Sequence, residues 1–237
     1  MKIKKIKEAI ISFFFPKRCA GCDCVISGGK DVCEECDRKI RMLTGSVCMI
    51  CGKRVKDDKV YCFDCNRRHH EFIQNIALFE YSDIRESLYR FKYNGRAEYA
   101  EYYAQKAYEL HGKRIALWNA DAIVPVPLHS TRFRKRGYNQ AEEFARRLSA
   151  FTGIPVYGKS LKRVKKTKPL KLLSLSQRQN NLKKAFLFMQ NDVKLNTIIL
   201  VDDIYTTGAT LDAVSKVCKE GGVNGVYTIT VAVGRGF

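Results

Sequence analysis

The stretch "LVDDIYTTGATL", Leu200 to Leu211, is where the fold and the chemistry of this chain meet. It closes an apolar run, "NTIILV" over 196–201, which predicts a strand covered on both faces. Two adjacent carboxylates, Asp202 and Asp203, follow at once. Thr206, Thr207, Gly208, Ala209 and Thr210 then supply hydroxyls and unhindered backbone N–H groups. "GATLDAVSKVCKEGG" over 208–222 predicts a helix that starts in this loop. A strand that delivers two carboxylates to a sheet edge offers acceptors for a 1,2-diol. N–H groups converging at a helix start form an anion cradle, reinforced by the helix dipole. A diol site beside a monophosphate site matches a ribose 5-phosphate. The G-x-x-x-x-G-K-[ST] pattern is missing, so nothing supports a P-loop triphosphate site.

Outward from this stretch, strands and helices alternate. Strands are expected at 75–82 ("NIALFEYS"), 121–128 ("DAIVPVPL"), 196–201 and 225–233 ("GVYTITVAV"). Helices are expected at 83–95, 96–117, 139–153, 175–186 and 208–222. Continuous apolar strands alternating with helices predict an α/β domain, a parallel sheet with helices on both faces. In such sheets ligands bind beyond the carboxyl ends of the strands, where Asp202 and Asp203 fall.

Before residue 71 the chain has another character. Eight of its ten cysteines form four C-x-x-C pairs: Cys19/Cys22, Cys33/Cys36, Cys48/Cys51 and Cys62/Cys65. The second two pairs repeat the first two 29 residues on, which reads as two zinc ribbons in tandem. Gly21 and Gly52 fall where each knuckle turns. Four thiolates per ion leave no open position, so two structural Zn2+ ions are expected rather than catalytic ones. Sequential pairing puts one ion on 19–36 and another on 48–65; interleaved pairing stays open. Cys24 and Cys218 are left over, the latter as a small apolar residue on a helix. His69 and His70 read as linker residues. The expected division is 1–17, a short amphipathic segment; 18–70, a Cys-rich zinc-ribbon module; and 71–237, the α/β domain.

The chain holds 43 Lys+Arg against 24 Asp+Glu, a formal net charge of +19, which favours a polyanionic partner. No acidic residue occurs from Phe144 to Asn191, a stretch that carries Arg163, Lys165, Lys166, Lys168 and Lys171 among its cations. Tyr157 and Phe151 lie within it and Tyr138 just before, a composition suited to single-stranded nucleic acid held by charge and stacking. The apolar "AIISFFF" near the N-terminus is too short to span a bilayer. It lacks a cleavage site for export, so the chain is expected to be cytoplasmic, with membrane contact limited at most to this segment.

Four segments carry a resemblance to a known family. "FEYSDIRESLYRFKYNGR" (79–96), "VPVPLHSTRFRKRGYNQA" (124–141), "LSLSQRQNNLKKAF" (173–186) and "ILVDDIYTTGAT" (199–210) occur in the order of the ComF family. That family pairs a type I phosphoribosyltransferase-like domain with an N-terminal cysteine-rich zinc module. The resemblance implies phosphoribosyl pyrophosphate (PRPP) as ligand, accompanied by Mg2+. Asp202 and Asp203 would meet the ribose hydroxyls, and Thr206, Thr207, Gly208, Ala209 and Thr210 the 5-phosphate. Leu128 and His129 would border the pyrophosphate, with Arg134 and Lys135 stabilising charge as it leaves. Arg132 and Arg136, with the cations of 163–171, would serve nucleic acid. The implied role is handling of single-stranded DNA in natural competence, with other competence proteins as further partners.

Two readings stay open on sequence grounds. One is a phosphoribosyltransferase with an unidentified acceptor. The other is a nucleic-acid-binding module on that fold, since fold does not settle function. A weaker third is a membrane adaptor working through "IISFFF".

Overall fold

A computed structural model describes residues 16–27, 29–164, 185–189 and 194–234. The expected amphipathic segment lies outside the described residues except for Pro16 and Lys17, and so does most of the helix expected at 175–186.

Four strands form a parallel sheet: β1 (Gln74–Glu80), β2 (Ala122–Pro125), β5 (Thr197–Tyr205) and β6 (Gly225–Val233), in the order β1-β6-β5-β2. A separate antiparallel pair, β3 (Leu161–Arg163) and β4 (Phe186–Phe188), was not expected. It corrects the helix ending at 186: Phe186 is a strand residue opposite Arg163. The helices are α1 (Glu34–Lys39), α2 (Phe63–Arg67), α3 (Tyr81–Tyr93), α4 (Tyr99–Leu117), α5 (Ser130–Arg136), α6 (Gln140–Thr152) and α7 (Ala209–Glu220).

The sheet's apolar runs are continuous because each face has its own core. On one face Ile123, Ile199, Val201 and Ile229 pack with Phe91, Tyr103, Phe144 and Leu148 of α3, α4 and α6. On the other, Val124, Ile198, Leu200 and Val226 pack with Leu211, Val214 and Cys218 of α7. The period-2 alternation of a strand sorts neighbouring residues to opposite cores. Each zinc-ribbon half joins a different face: Cys19, Ala20 and Val32 belong to the first core, and Cys48, Cys51 and Cys65 to the second.

β5 runs four residues beyond its expected end. β6 stays beside it through Asp202↔Thr230, Ile204↔Ala232 and Tyr205↔Val233, whereas β2 stops at Pro125↔Val201. Asp202 and Asp203 are therefore strand residues, placed where the β2 side of the sheet opens. After β2 the chain passes to α6 on one face, and after β5 to α7 on the other. The aspartates thus sit at a switch point of the sheet, where crevices form.

Candidate functional site

The eight cysteines gather into two groups, Cys19/Cys22/Cys33/Cys36 and Cys48/Cys51/Cys62/Cys65, each with its sulfurs within 4.8 Å of one another. The pairing is sequential. All ten cysteines are free thiols. The Cys22 and Cys33 Sγ atoms lie 3.8 Å apart and those of Cys51 and Cys62 3.6 Å apart, close to the roughly 3.8 Å edge of a tetrahedral Zn–S4 site. Backbone N–H groups of Gly21 and Cys33 donate to the Cys19 sulfur at 3.3 and 3.2 Å, as suits a thiolate. A Cβ on Gly21 would sit 2.6 Å from the Cys36 Sγ, so only glycine fits this knuckle. Two structural zinc sites fit these residues.

Each ribbon is tied to the α/β domain by polar contacts. Asp23, at φ +70°, takes two bonds from Arg96 at 2.7 and 2.9 Å and one from the Tyr99 hydroxyl at 2.5 Å. Ser87 and Arg90 of α3 donate to the carbonyls of Ala20 and Gly21. On the opposite side His70 is buried and links three elements. Its Nε2 lies 3.5 Å from the Cys65 Sγ, and its Nδ1 lies 3.1 Å from both carboxylate oxygens of Asp212 in the first turn of α7. Reading His70 as a linker residue was wrong, because its ring is packed between the ribbon and the first turn of α7.

At the end of β2 the two aspartates occupy different environments. Asp203 Oδ2 pairs with Lys92 Nζ of α3 at 3.0 Å, and both side chains are largely shielded. Asp202 Oδ1 accepts the Asp203 backbone N–H at 2.8 Å. Burial, and then the neighbouring Asp203 carboxylate, push the Asp202 carboxyl up to about 7, against the opposing pull of that N–H bond, Lys92 and Arg163. Arg163 is held below its usual range by burial and by Arg132, with Asp202 acting the other way. Lys92 was missed by sequence reasoning. "FKYNG" offers a lysine one residue before the end of a helix, and only the fold turns it toward Asp203.

The loop after β5 leads directly into α7 through Gly208. Gly208 adopts φ +77° as the residue before α7. A Cβ there would lie 2.7 Å from the Tyr205 hydroxyl and 3.0 Å from His70 Cε1. Arg68 Nη1 donates to the Thr207 carbonyl at 3.1 Å, fixing the loop from the ribbon side. The N–H groups of Ala209 and Thr210, in the first turn of α7, have no intrahelical partner. Thr206 is exposed, with Thr207, Ala209 and Thr210 half-buried.

The segment after β2 forms a helix that the sequence reading did not include. Residues 130–136 form the short helix α5, begun by His129, whose Nδ1 accepts the Thr131 N–H at 3.3 Å, and ended by Gly137 at φ +80°. Gly137 terminates the helix. Leu128 and His129 lie on the path from β2 into α5, half-buried. Asn139 holds that path, donating to the Val126 carbonyl at 3.2 Å while its Oδ1 accepts the Ala141 N–H. Arg132, Arg134 and Lys135 are exposed. Among the described residues neither Arg134 nor Lys135 contacts Asp202 or Asp203. Arg136 turns the other way, to Gln140 at 2.6 Å and Tyr93 at 3.2 Å. Lys165, Lys166, Lys168 and Lys171 lie outside the described residues. No described helix is long and apolar enough to cross a membrane.

Residues 10–66 match the family model of the double zinc ribbon domain. Competence protein F of Haemophilus influenzae is 31% identical over 217 residues, covering 89% of this chain and 94% of that protein. Competence protein ComFC of Bacillus subtilis is 32% identical over 199 residues, 81% of this chain and 79% of that protein. The DNA utilization protein YhgH of Salmonella typhimurium is 27% identical over 204 residues, 84% of this chain and 88% of that protein.

Proposed function

Because the chain belongs to the family of competence protein F and ComFC, we propose that it handles single-stranded DNA during DNA uptake and binds PRPP with Mg2+ at the carboxyl end of β5. The observation that carries the ligand is the Asp202–Asp203 pair standing where β2 stops, directly before a cradle that begins α7 on Gly208. A ribose diol donates to the two carboxylates, and its 5-phosphate accepts from the N–H groups and hydroxyls of 206–210. Mg2+ keeps several waters and takes oxygen ligands chiefly from substrate phosphates, so it enters with the diphosphate rather than in a protein cage.

Calorimetric titration with PRPP and Mg2+ tests the site. Wild type is expected to bind, and Asp202→Asn/Asp203→Asn to lose binding while keeping its zinc. A folded, zinc-loaded wild type that binds no PRPP would sink this reading. DNA binding is tested separately, by anisotropy of a labelled oligothymidylate across a salt series.

A second reading, turnover, is favoured by a cation beside the aspartates. Lys92 stands 3.0 Å from Asp203, and a cation so placed stabilises a departing pyrophosphate. Pyrophosphate release with candidate acceptors decides between a binding site and a transferase.

A further inference from the structure

α5 carries Arg132, Arg134, Lys135 and Arg136 and no acidic residue, and none of the four forms an ion pair among the described residues. Beside these cations stands an ordered aromatic face. Tyr89 and Tyr93, one turn apart on α3, have ring centroids 5.1 Å apart and are 55% and 49% exposed. Phe133 of α5 is 47% exposed. Single exposed aromatics are ordinary, but Tyr89 and Tyr93 pack on each other and Tyr93 is held by Arg136, without either being buried. The Arg136 guanidinium lies 4.9 Å from the Tyr93 ring centroid and donates to its hydroxyl. Arg136 is itself anchored on Gln140, which is fully buried. The acidic residues of α3, Asp83 and Glu86, lie in its first half, away from the Tyr93 end.

We infer that Tyr89, Tyr93 and Phe133, with the cations of α5, form the docking face for a single strand of nucleic acid, whose bases stack on the rings and whose phosphates meet the cations. The inference rests on the DNA-handling reading above and places the strand on α3 and α5. A bare cationic surface would serve any polyanion. Rings held open to solvent beside unneutralised cations select one with exposed flat bases, and a duplex hides those faces. The same helix also borders the ribose-phosphate site: Lys92 of α3 is the partner of Asp203.

The test is anisotropy of a labelled oligothymidylate on full-length, zinc-loaded protein. Tyr89→Ala/Tyr93→Ala is expected to weaken binding by tenfold or more, Tyr89→Phe/Tyr93→Phe to restore most of it, and both to bind PRPP as wild type does. Arg134→Gln/Lys135→Gln is expected to flatten the log–log salt dependence by about 0.7 per lost phosphate contact. An alanine pair that binds the strand as tightly as wild type overturns the face. So does a face whose alanine variant loses only binding to phosphatidylglycerol vesicles, which would assign it to a membrane. A wild type that binds no strand fails the DNA reading itself, independently of PRPP binding.

Discussion

His70 Nδ1 lies 3.1 Å from both carboxylate oxygens of Asp212, while its Nε2 faces the Cys65 sulfur at 3.5 Å. The second ribbon and α7, the helix that follows Gly208, are thus joined through one buried ring. Phe72 stacks on that ring at 4.8 Å, and the Glu71 N–H adds a bond to Asp212 at 3.0 Å.

His70→Ala should therefore weaken PRPP binding about tenfold while leaving two zinc ions per chain, since losing a hydrogen bond to the Asp212 carboxylate costs about 1.5 kcal/mol. Zinc content by chelator-dye assay and affinity by calorimetry check the two halves. A variant that lost zinc and kept its affinity would show that the ring serves the metal alone.

The raised Asp202 sets a pH dependence. Its folded value of about 7 lies above its ordinary 3.8, so between those pH values the native state holds a proton that the unfolded chain has released. This group's contribution to stability therefore falls as pH rises from about 4 to 7, by at most about 1.4 kcal/mol per pH unit. Asp202→Asn should melt above wild type near pH 8, with the gap closing near pH 5. A melting-temperature series over that range checks it.

A ribose diol donates to carboxylates and so favours their ionised form. Ligand binding by wild type should release a fraction of a proton near pH 7 and tighten as pH rises through that value. Calorimetry in two buffers of different ionisation heat measures the release, and Asp202→Asn should abolish it.

Gly208→Ala meets both a φ of +77° and a 2.7 Å approach to the Tyr205 hydroxyl. The left-handed conformation costs an L-residue about 1–2 kcal/mol before any clash. The variant should lose that much or more in urea unfolding, and its phosphate affinity should fall further than its stability.

Asp23→Ala removes a bidentate Arg96 contact and the Tyr99 bond together. Burial alone would raise the Asp23 carboxyl, yet its bonds to Arg96 and Tyr99 bring it below the usual range. The stability it confers is present above the unfolded carboxyl value and is lost as pH falls through the folded one. The substitution should cost about 1–3 kcal/mol at neutral pH and much less in acid. Urea unfolding near pH 7 and pH 3 compares the two.

The ribbons and the β5–α7 stretch were legible because their chemistry is local. A C-x-x-C pair closes over three residues, and a strand, two carboxylates and a glycine-started helix follow one another within the reach of a single turn. The carboxyl end of β5 was not legible. Ile204 and Tyr205 extend the strand only because Ala232 and Val233 lie alongside, and α5, which the sequence reading did not include, forms because His129 and Gly137 close its two ends.

By itself the sequence determined the parallel α/β class, the two four-cysteine groups and the position of Asp202 and Asp203 at a strand's carboxyl end. It did so because apolar periodicity and ligand spacing are properties of neighbouring residues. The tertiary structure alone decided that metal pairing is sequential, that the two ribbons grip opposite faces of one sheet, and that Lys92, Arg68 and His70 converge on the site. Those contacts join residues as far apart as Arg68 and Thr207, 139 positions along the chain. No local pattern encodes such a meeting, because it exists only once β1 and β5 have found their places on either side of β6.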